Sequence, residues 1–300
     1  MLDVRKLRLL RELSRRGTIA AVAESLAYSP SAVSQQLTAL ERETGVALLE
    51  RTGRRVKLTS AALMLVQHTE SVLAILEEAA AGLASTESGL VGTLRIGVFP
   101  TAVPTILTPA LVALSTDHPG LELQVAELDP AAVPEALREE ALDVALVQDY
   151  DYVPFVSDAA LQTEPLFEEI VHLAALDPGA LAVRREAGWI AGTPRTLCHA
   201  LTVRACEAAG FTPRIRHHAD DFGAVLALVA AGQGVAFVPD LGALAPPPAV
   251  VLTPLPIRRR TRLAYRRGNG AHPAIAAARI ALVAAVGERG ERVGVRRSSE

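Results

Sequence analysis

The sequence predicts a multidomain α/β protein with a small winged helix-turn-helix head, a long linker helix and a two-lobed α/β domain. Three observations predict it. A helix with one apolar and one uncharged polar face lies in the first 60 residues, an unbroken amphipathic stretch follows it, and strands alternate with helices from Gly92 onward. Three hundred residues, half of them hydrophobic, suffice for two or three cores.

The two-faced helix is SPSAVSQQLTALERETG, Ser29 to Gly45. Ser29 can cap it, and Pro30 suits a first helical position, where an amide has no partner anyway. Val33, Leu37 and Leu40 make an apolar stripe. The opposite face carries Ser31, Gln35, Thr38 and Arg42, with Ser34 on its flank, short or forked hydrogen-bonding groups without negative charge. Such a face suits a DNA groove, where a carboxylate would meet phosphate repulsion. A solvated surface would explain the helix equally well, so its surroundings decide.

The overall charge of -3 hides a segregation. Residues 1–60 hold eleven Lys and Arg against six Asp and Glu, a net of +5, which leaves -8 on the remainder. A basic head on an acidic body implies that the head alone approaches a polyanion. The head starts with a helix from about Asp3 to Arg16, ended by Gly17, and a short alanine-rich helix capped by Thr18. Ala27 and Tyr28 form the turn before the two-faced helix, completing a helix-turn-helix. Behind Gly45, Thr52 to Arg54 read as a hairpin tip, with Arg51, Arg54, Arg55 and Lys57 on or beside it, a wing placed to touch phosphate or the minor groove. Together these favour double-stranded DNA as a partner. Gln35→Ala should relax sequence preference, and Arg55→Ala should weaken binding to all sequences alike.

Residues 7–62 resemble the winged helix of the LysR-type transcriptional regulators. The resemblance rests on Leu7, Gly17, Val22-Ala23, Leu26, SPSAVSQQL, Leu40-Glu41, Gly45, Leu48, Arg51 and Leu58-Thr59. Leu10, Ile19 and Leu49 replace the family's usual Phe, Val22 its Ala and Ala62 its Gly.

Residues 60–88 read as one helix without proline, roughly 40 Å long. Leu65, Thr69, Val72, Leu76, Ala79 and Leu83 form a coiled-coil seam, which implies a homodimer that sets two reading helices on one side of the duplex. Packing on the chain's own C-terminal domain is the alternative.

From Gly92 a βαβαβ run (TLRIGVF, LELQVAEL and DVALV as strands) is followed by a second such unit. RTRLAYRR then returns as a strand, and Pro273 to Val286 closes as a helix. The pattern predicts parallel sheets covered on both faces, in two lobes enclosing a cleft. The LysR resemblance implies the same, a two-lobed effector domain similar to periplasmic binding proteins, and is supported by GTLRIG, LDVAL and AAGQGVAFVP. It also implies dimers of dimers. The resulting domains are 1–59, a linker 60–89 and an effector domain 90–287, with lobe 1 at about 90–163 and 264–287, lobe 2 at about 164–263, and a disordered tail 288–300.

Strand ends nominate the cleft residues. These are Phe99, Pro100, Thr101, Gln148 and Asp149 in lobe 1, and Thr193, Thr196, His199, Phe222 and Pro239 in lobe 2. Thr101 matches the position at which many LysR-type proteins contact effector. Capping or turn chemistry accounts equally well for Thr193 and Pro239. Arg195 could neutralise an acidic effector or point to solvent.

Catalysis finds no support in the sequence: no nucleophile elbow, no His-Glu-x-x-His, and no defensible acid and base pair. His217 and His218 are strand neighbours on opposite faces, unsuited to one metal. No cofactor is expected beyond an unidentified small-molecule effector. With no charged-then-apolar leader and no eighteen-residue apolar run, the expectation is a cytoplasmic protein without a membrane partner.

Cys198 and Cys206 are the only cysteines. Some LysR-type proteins sense peroxide through two cysteines in this neighbourhood, which makes thiol sensing a lesser alternative. Eight residues along one helix place the pair roughly 12 Å apart, too far for a disulfide unless the helix melts. The main expectation is a transcriptional regulator responding to a small molecule. The competing class is an enzyme or solute-binding protein with a fused winged helix.

Overall fold

The computed structural model describes residues 2–52, 55–84, 90–154, 158–293 and 296–297. The chain divides inside its linker helix, between Glu77 and Glu78.

The head holds α1 (Val4–Arg16), α2 (Ile19–Ser25) and α3 (Pro30–Thr44), followed by strands β1 (Leu49–Thr52) and β2 (Arg55–Leu58). Every helix start has the cap its sequence supplies. Asp3 accepts from Arg5 N, Thr18 from Ala21 N, and Ser29 from Ala32 N at 3.2 Å. Gly17 and Gly45 end α1 and α3 in the left-handed region, at φ +73° and +71°. Leu10, Val22, Val33, Leu37, Leu40 and Leu48 pack into one core. β1 and β2 pair antiparallel from Leu49↔Leu58 to Thr52↔Arg55, which makes the wing; Gly53 and Arg54, its expected tip, lie outside the described residues.

Helix α4 (Ser60–Ala84) is the predicted linker helix. Its seam is divided. Leu65 packs on the head's own core and Thr69 is buried, donating its hydroxyl to Leu65 O at 2.8 Å. Leu65 is half-buried by that contact. Val72 and Leu76 are exposed, as is Ile75 beside them.

The remainder is built on β3 (Gly92–Val98), α5 (Thr108–Asp117), β4 (Leu121–Glu127), α6 (Val133–Arg138), β5 (Val144–Tyr150) and β6 (Leu161–Ala175). It continues through β7 (Gly188–Ala191), α7 (Leu197–Ala208), β8 (Arg214–His218), α8 (Phe222–Ala230), β9 (Ala236–Pro239), β10 (Val251–Arg266), α9 (Pro273–Val293) and β11 (Arg296–Arg297). Among the described residues no helix is long and apolar enough to cross a membrane.

The sheet departs from the all-parallel expectation. Its order is β11-β6-β10-β5-β3-β4 with β9 also on β6; β3 pairs parallel with β4 and β5, and every other pairing is antiparallel. The cause is the length of β6 and β10. Each strand runs through both lobes, with Leu166, Phe167, Leu263 and Tyr265 in a lobe 1 core and Val171, Leu173 and Ile257 in a lobe 2 core. β7 and β8 form a separate parallel pair.

Two further expectations change. The helix expected from Thr101 to Ser115 is broken, with a 3₁₀ turn over Pro100–Ala102 and a π-helical turn over Val103–Leu107 before α5 begins. Pro104 lacks the amide a regular turn would use. The tail expected to be disordered from residue 288 continues α9 to Val293, and Arg296 and Arg297 pair with Glu168 and Phe167 of β6. The Glu- and Arg-rich run has good helix propensity, which one glycine does not outweigh.

Gly234 shows what the chain crossing in lobe 2 demands. A Cβ there would sit 2.4 Å from Gly188 O, a backbone atom held in place because Val235 N donates to it at 2.9 Å. Gly234→Ala should therefore cost about 3 kcal/mol, read as a lower urea midpoint.

Candidate nucleic-acid interface and ligand cleft

In the head, α3 presents Ser29, Pro30, Ser31, Gln35 and Arg42 to solvent, with Ser34 and Thr38 half-buried beside them. The face continues through Gln36 and Tyr28, both exposed and both missed from the sequence. Gln36 lies one residue past the predicted face, and Tyr28 was assigned only to the turn. The acids of α3 have other partners. Glu41 accepts from Leu48 N and Leu49 N at 2.9 and 3.0 Å and so anchors the wing to the helix, and Glu43 pairs with Lys6. Lys57 is exposed on β2 opposite Glu50. The side chains of Arg51, Arg54 and Arg55 lie outside the described residues.

The charge surplus of the head is smaller at its surface than in its sequence. Arg11, Arg15 and Arg16 surround buried Glu12, and Arg11 and Arg15 also reach Glu70 of α4. These cations tie α1 to α4. The exposed cations among the described side chains of the head include Arg5 and Arg8 of α1, Arg42 of α3 and Lys57 of the wing.

The second site is a cleft of about 600 Å³ between the lobes. Seven of the ten nominated residues line it: Phe99, Pro100, Thr101, Gln148, Thr193, Thr196 and Phe222. Three do not. Asp149 follows Gln148 on β5 and so faces the opposite side, where Arg260 and Arg262 hold it at 3.3 and 3.2 Å. His199 donates its Nδ1 proton to Gly192 O and stacks against His218, with ring centroids 5.7 Å apart. Pro239 lines a small adjoining void with Tyr150 and Cys198.

The floor of the cleft holds what the sequence did not reveal. Arg259 is 1% exposed and pairs with fully buried Glu169 at 2.6 Å. Its guanidinium lies 5.0 Å from the Phe99 ring centroid and donates to Thr101 Oγ1 at 3.1 Å. Glu169 also accepts from Leu241 N at 2.7 Å. One ion pair thus joins both crossing strands to the start of lobe 1's first helical turn and to the loop after β9. Burial pushes the Glu169 carboxyl above its usual range, and Arg259 and the Leu241 amide pull it back only in part. A period-two reading of β10 would have exposed the anomaly, since Ile257, Arg259, Thr261, Leu263 and Tyr265 share the buried phase.

The walls fix other polar groups. Asp220 accepts from Thr193 N and Thr193 Oγ1, both at 2.8 Å. Thr196 caps α7 by accepting from His199 N, and Asp221 caps α8 by accepting from Ala224 N. Thr193 and Thr196 therefore both line the cleft and hold its walls. Gln148 Oε1 is buried without a hydrogen-bond partner among the described residues. Cys198 lines the cleft with its Sγ 3.6 Å from Tyr150 Oη, whereas Cys206 is buried in the lobe 2 core. Burial raises both thiols, Cys206 to about 12.

Comparisons with known proteins agree with this two-part layout. "Bacterial regulatory helix-turn-helix protein, lysR family" matches residues 4–63, and "LysR substrate binding domain" matches residues 87–287. A probable hydrogen peroxide-inducible genes activator of Mycobacterium xenopi is 36% identical over 159 residues, covering 53% of this chain and 81% of the relative. Its Mycobacterium avium namesake is 33% identical over 228 residues, covering 73% and 71%. Among solved structures, a cysteine mutant of Corynebacterium glutamicum OxyR superposes with a TM-score of 0.58 at 24% identity, covering 97% of this chain and 94% of that one. A two-faced α3 beside a wing, joined through α4 to a two-lobed domain, places the chain in the LysR family of DNA-binding bacterial transcriptional regulators with an effector-binding domain.

Proposed function

We propose that α3 and the wing read operator DNA in a homodimer or a dimer of dimers, and that a small-molecule effector occupies the cleft between the lobes and changes promoter binding. The observation that carries the reading is the 600 Å³ cleft, which gathers Phe99, Thr101, Gln148, Thr193, Thr196 and Phe222 from both lobes. Its floor is the Arg259–Glu169 pair on the crossing strands. An occupant held by side chains of both lobes binds most tightly in the lobe arrangement that brings those side chains together. That difference is what a population shift requires.

The DNA-facing assignments are Ser29, Pro30, Ser31, Ser34, Gln35, Thr38, Arg42, Arg51, Arg54, Arg55 and Lys57. Leu65, Val72, Leu76, Ala79 and Leu83 are the helix positions assigned to dimerisation. The reading includes no cofactor and no catalytic step. Full-length protein in a gel shift on its own upstream region should give a specific complex whose affinity falls steeply with salt. No complex, or one indifferent to salt, defeats the regulator reading for this head.

The names of the Mycobacterium relatives raise peroxide sensing as a second reading, with Cys198 and Cys206 as sensors. Both thiols stand on α7, eight residues and roughly 12 Å apart, and burial keeps both protonated. A disulfide would need α7 to unwind. The double variant Cys198→Ser/Cys206→Ser should keep its operator affinity and its effector response, and should match the parent after peroxide treatment. Loss of a peroxide response in that variant alone would establish the thiol mechanism instead.

A further inference from the structure

We infer that the occupant of the cleft carries a protonated amine. This deepens the reading above and rests on the cleft being the effector site. The first observation is charge. Glu127, Asp129, Asp220 and Asp221 line the cleft, and among the described residues Arg259 is its one lining cation. That cation is spent, because Glu169 holds it at 2.6 Å and the Phe99 ring covers it. The cleft therefore offers an incoming ligand a negative field.

The second observation is an unmet acceptor. Gln148 is 6% exposed and lines the cleft, and its Oε1 has no hydrogen-bond partner among the described residues. A buried acceptor left alone is costly, and a ligand N–H would satisfy it once the Gln148 side chain turns its closed-off oxygen toward the cleft. The places where an anion would ordinarily settle are filled. At the start of α7 Thr196 takes one amide, that of His199, and at the start of α8 the Asp221 carboxylate takes that of Ala224 and sets a negative charge where an anion would settle. Thr101 Oγ1 accepts from Arg259, which leaves its proton for an acceptor elsewhere on the ligand. The ligand class is thus an amine, with a carbonyl, hydroxyl or single carboxylate tolerated at the Thr101 end. A dicarboxylate would meet four carboxylates and one neutralised guanidinium.

Three five-carbon probes isolate the charge: 1,5-diaminopentane, 5-aminopentanoate and pentanedioate, titrated calorimetrically into the full-length protein. Both amines should bind, and pentanedioate should bind at least about tenfold more weakly. Asp129→Asn should weaken amine binding about tenfold while keeping the fold, because Asn can accept from Ala131 N as Asp129 Oδ1 does. Pentanedioate binding as tightly as the amines and tightened by Asp129→Asn overturns the amine class and leaves the cleft as the site. Amine binding unchanged by both Asp129→Asn and Glu127→Gln puts the ligand elsewhere and overturns the cleft reading itself. Absence of heat from all three probes overturns the amine class.

Discussion

Glu169→Gln should destabilise the C-terminal unit by about 3–5 kcal/mol at every pH at which the protein folds. The substitution leaves the Arg259 guanidinium 1% exposed with its charge uncompensated, and arginine does not shed its proton to escape. The reciprocal variant behaves differently. In Arg259→Met the buried carboxyl of Glu169 loses the neighbour that opposed its desolvation, so its pKa, already raised, climbs further. A carboxyl whose folded pKa lies above its unfolded one contributes stability that is fully present below the unfolded value and is lost as pH rises through the folded value. Arg259→Met should therefore approach the parent in mild acid and fall away toward neutral pH, while Glu169→Gln stays weak throughout. Trp189 is the only tryptophan and is fully buried in lobe 2, so its fluorescence during urea unfolding reports on this unit. Equal losses at all pH for both variants would show that Glu169 stays ionised without Arg259.

Gln35→Ala should cost about 1–3 kcal/mol of discrimination between the operator and a scrambled duplex, because a side-chain amide can engage a base edge through two hydrogen bonds. Lys57→Ala should lower affinity for both duplexes alike and reduce the salt slope by about 1. Fluorescence anisotropy at several salt concentrations separates these outcomes. Equal, sequence-independent losses for both variants would mean that the base-reading face lies elsewhere, with exposed Gln36 and Tyr28 the adjacent candidates.

The head was legible because its signals are local. Asp3, Thr18 and Ser29 cap helices within three residues of themselves, Gly17 and Gly45 take the left-handed conformation that ends a helix, and Val33, Leu37 and Leu40 repeat at the helical period. The strand-end rule brought seven side chains to one cleft because it depends on chain direction, which alternation of strands and helices reveals. It failed at Asp149, where being off by one residue on a strand reverses the face, and at His199, whose ring turns to Gly192 O. The returning strand was legible from Arg260 onward, but β10 begins at Val251, and Pro254 and Pro256 within it interrupt the pattern of a continuous strand.

The sequence by itself determined which segments become helix or strand in the head, the two-faced character of α3 and the two-domain plan, since caps, periodicity and turn residues act over a few neighbours. The tertiary structure alone decided that Leu65 packs on the head core, that Glu41 anchors the wing, and that Arg259 meets Glu169 beneath Thr101. Those outcomes depend on residues up to 158 positions apart in sequence, as Thr101 and Arg259 are, and no local pattern encodes which buried charge will find which partner.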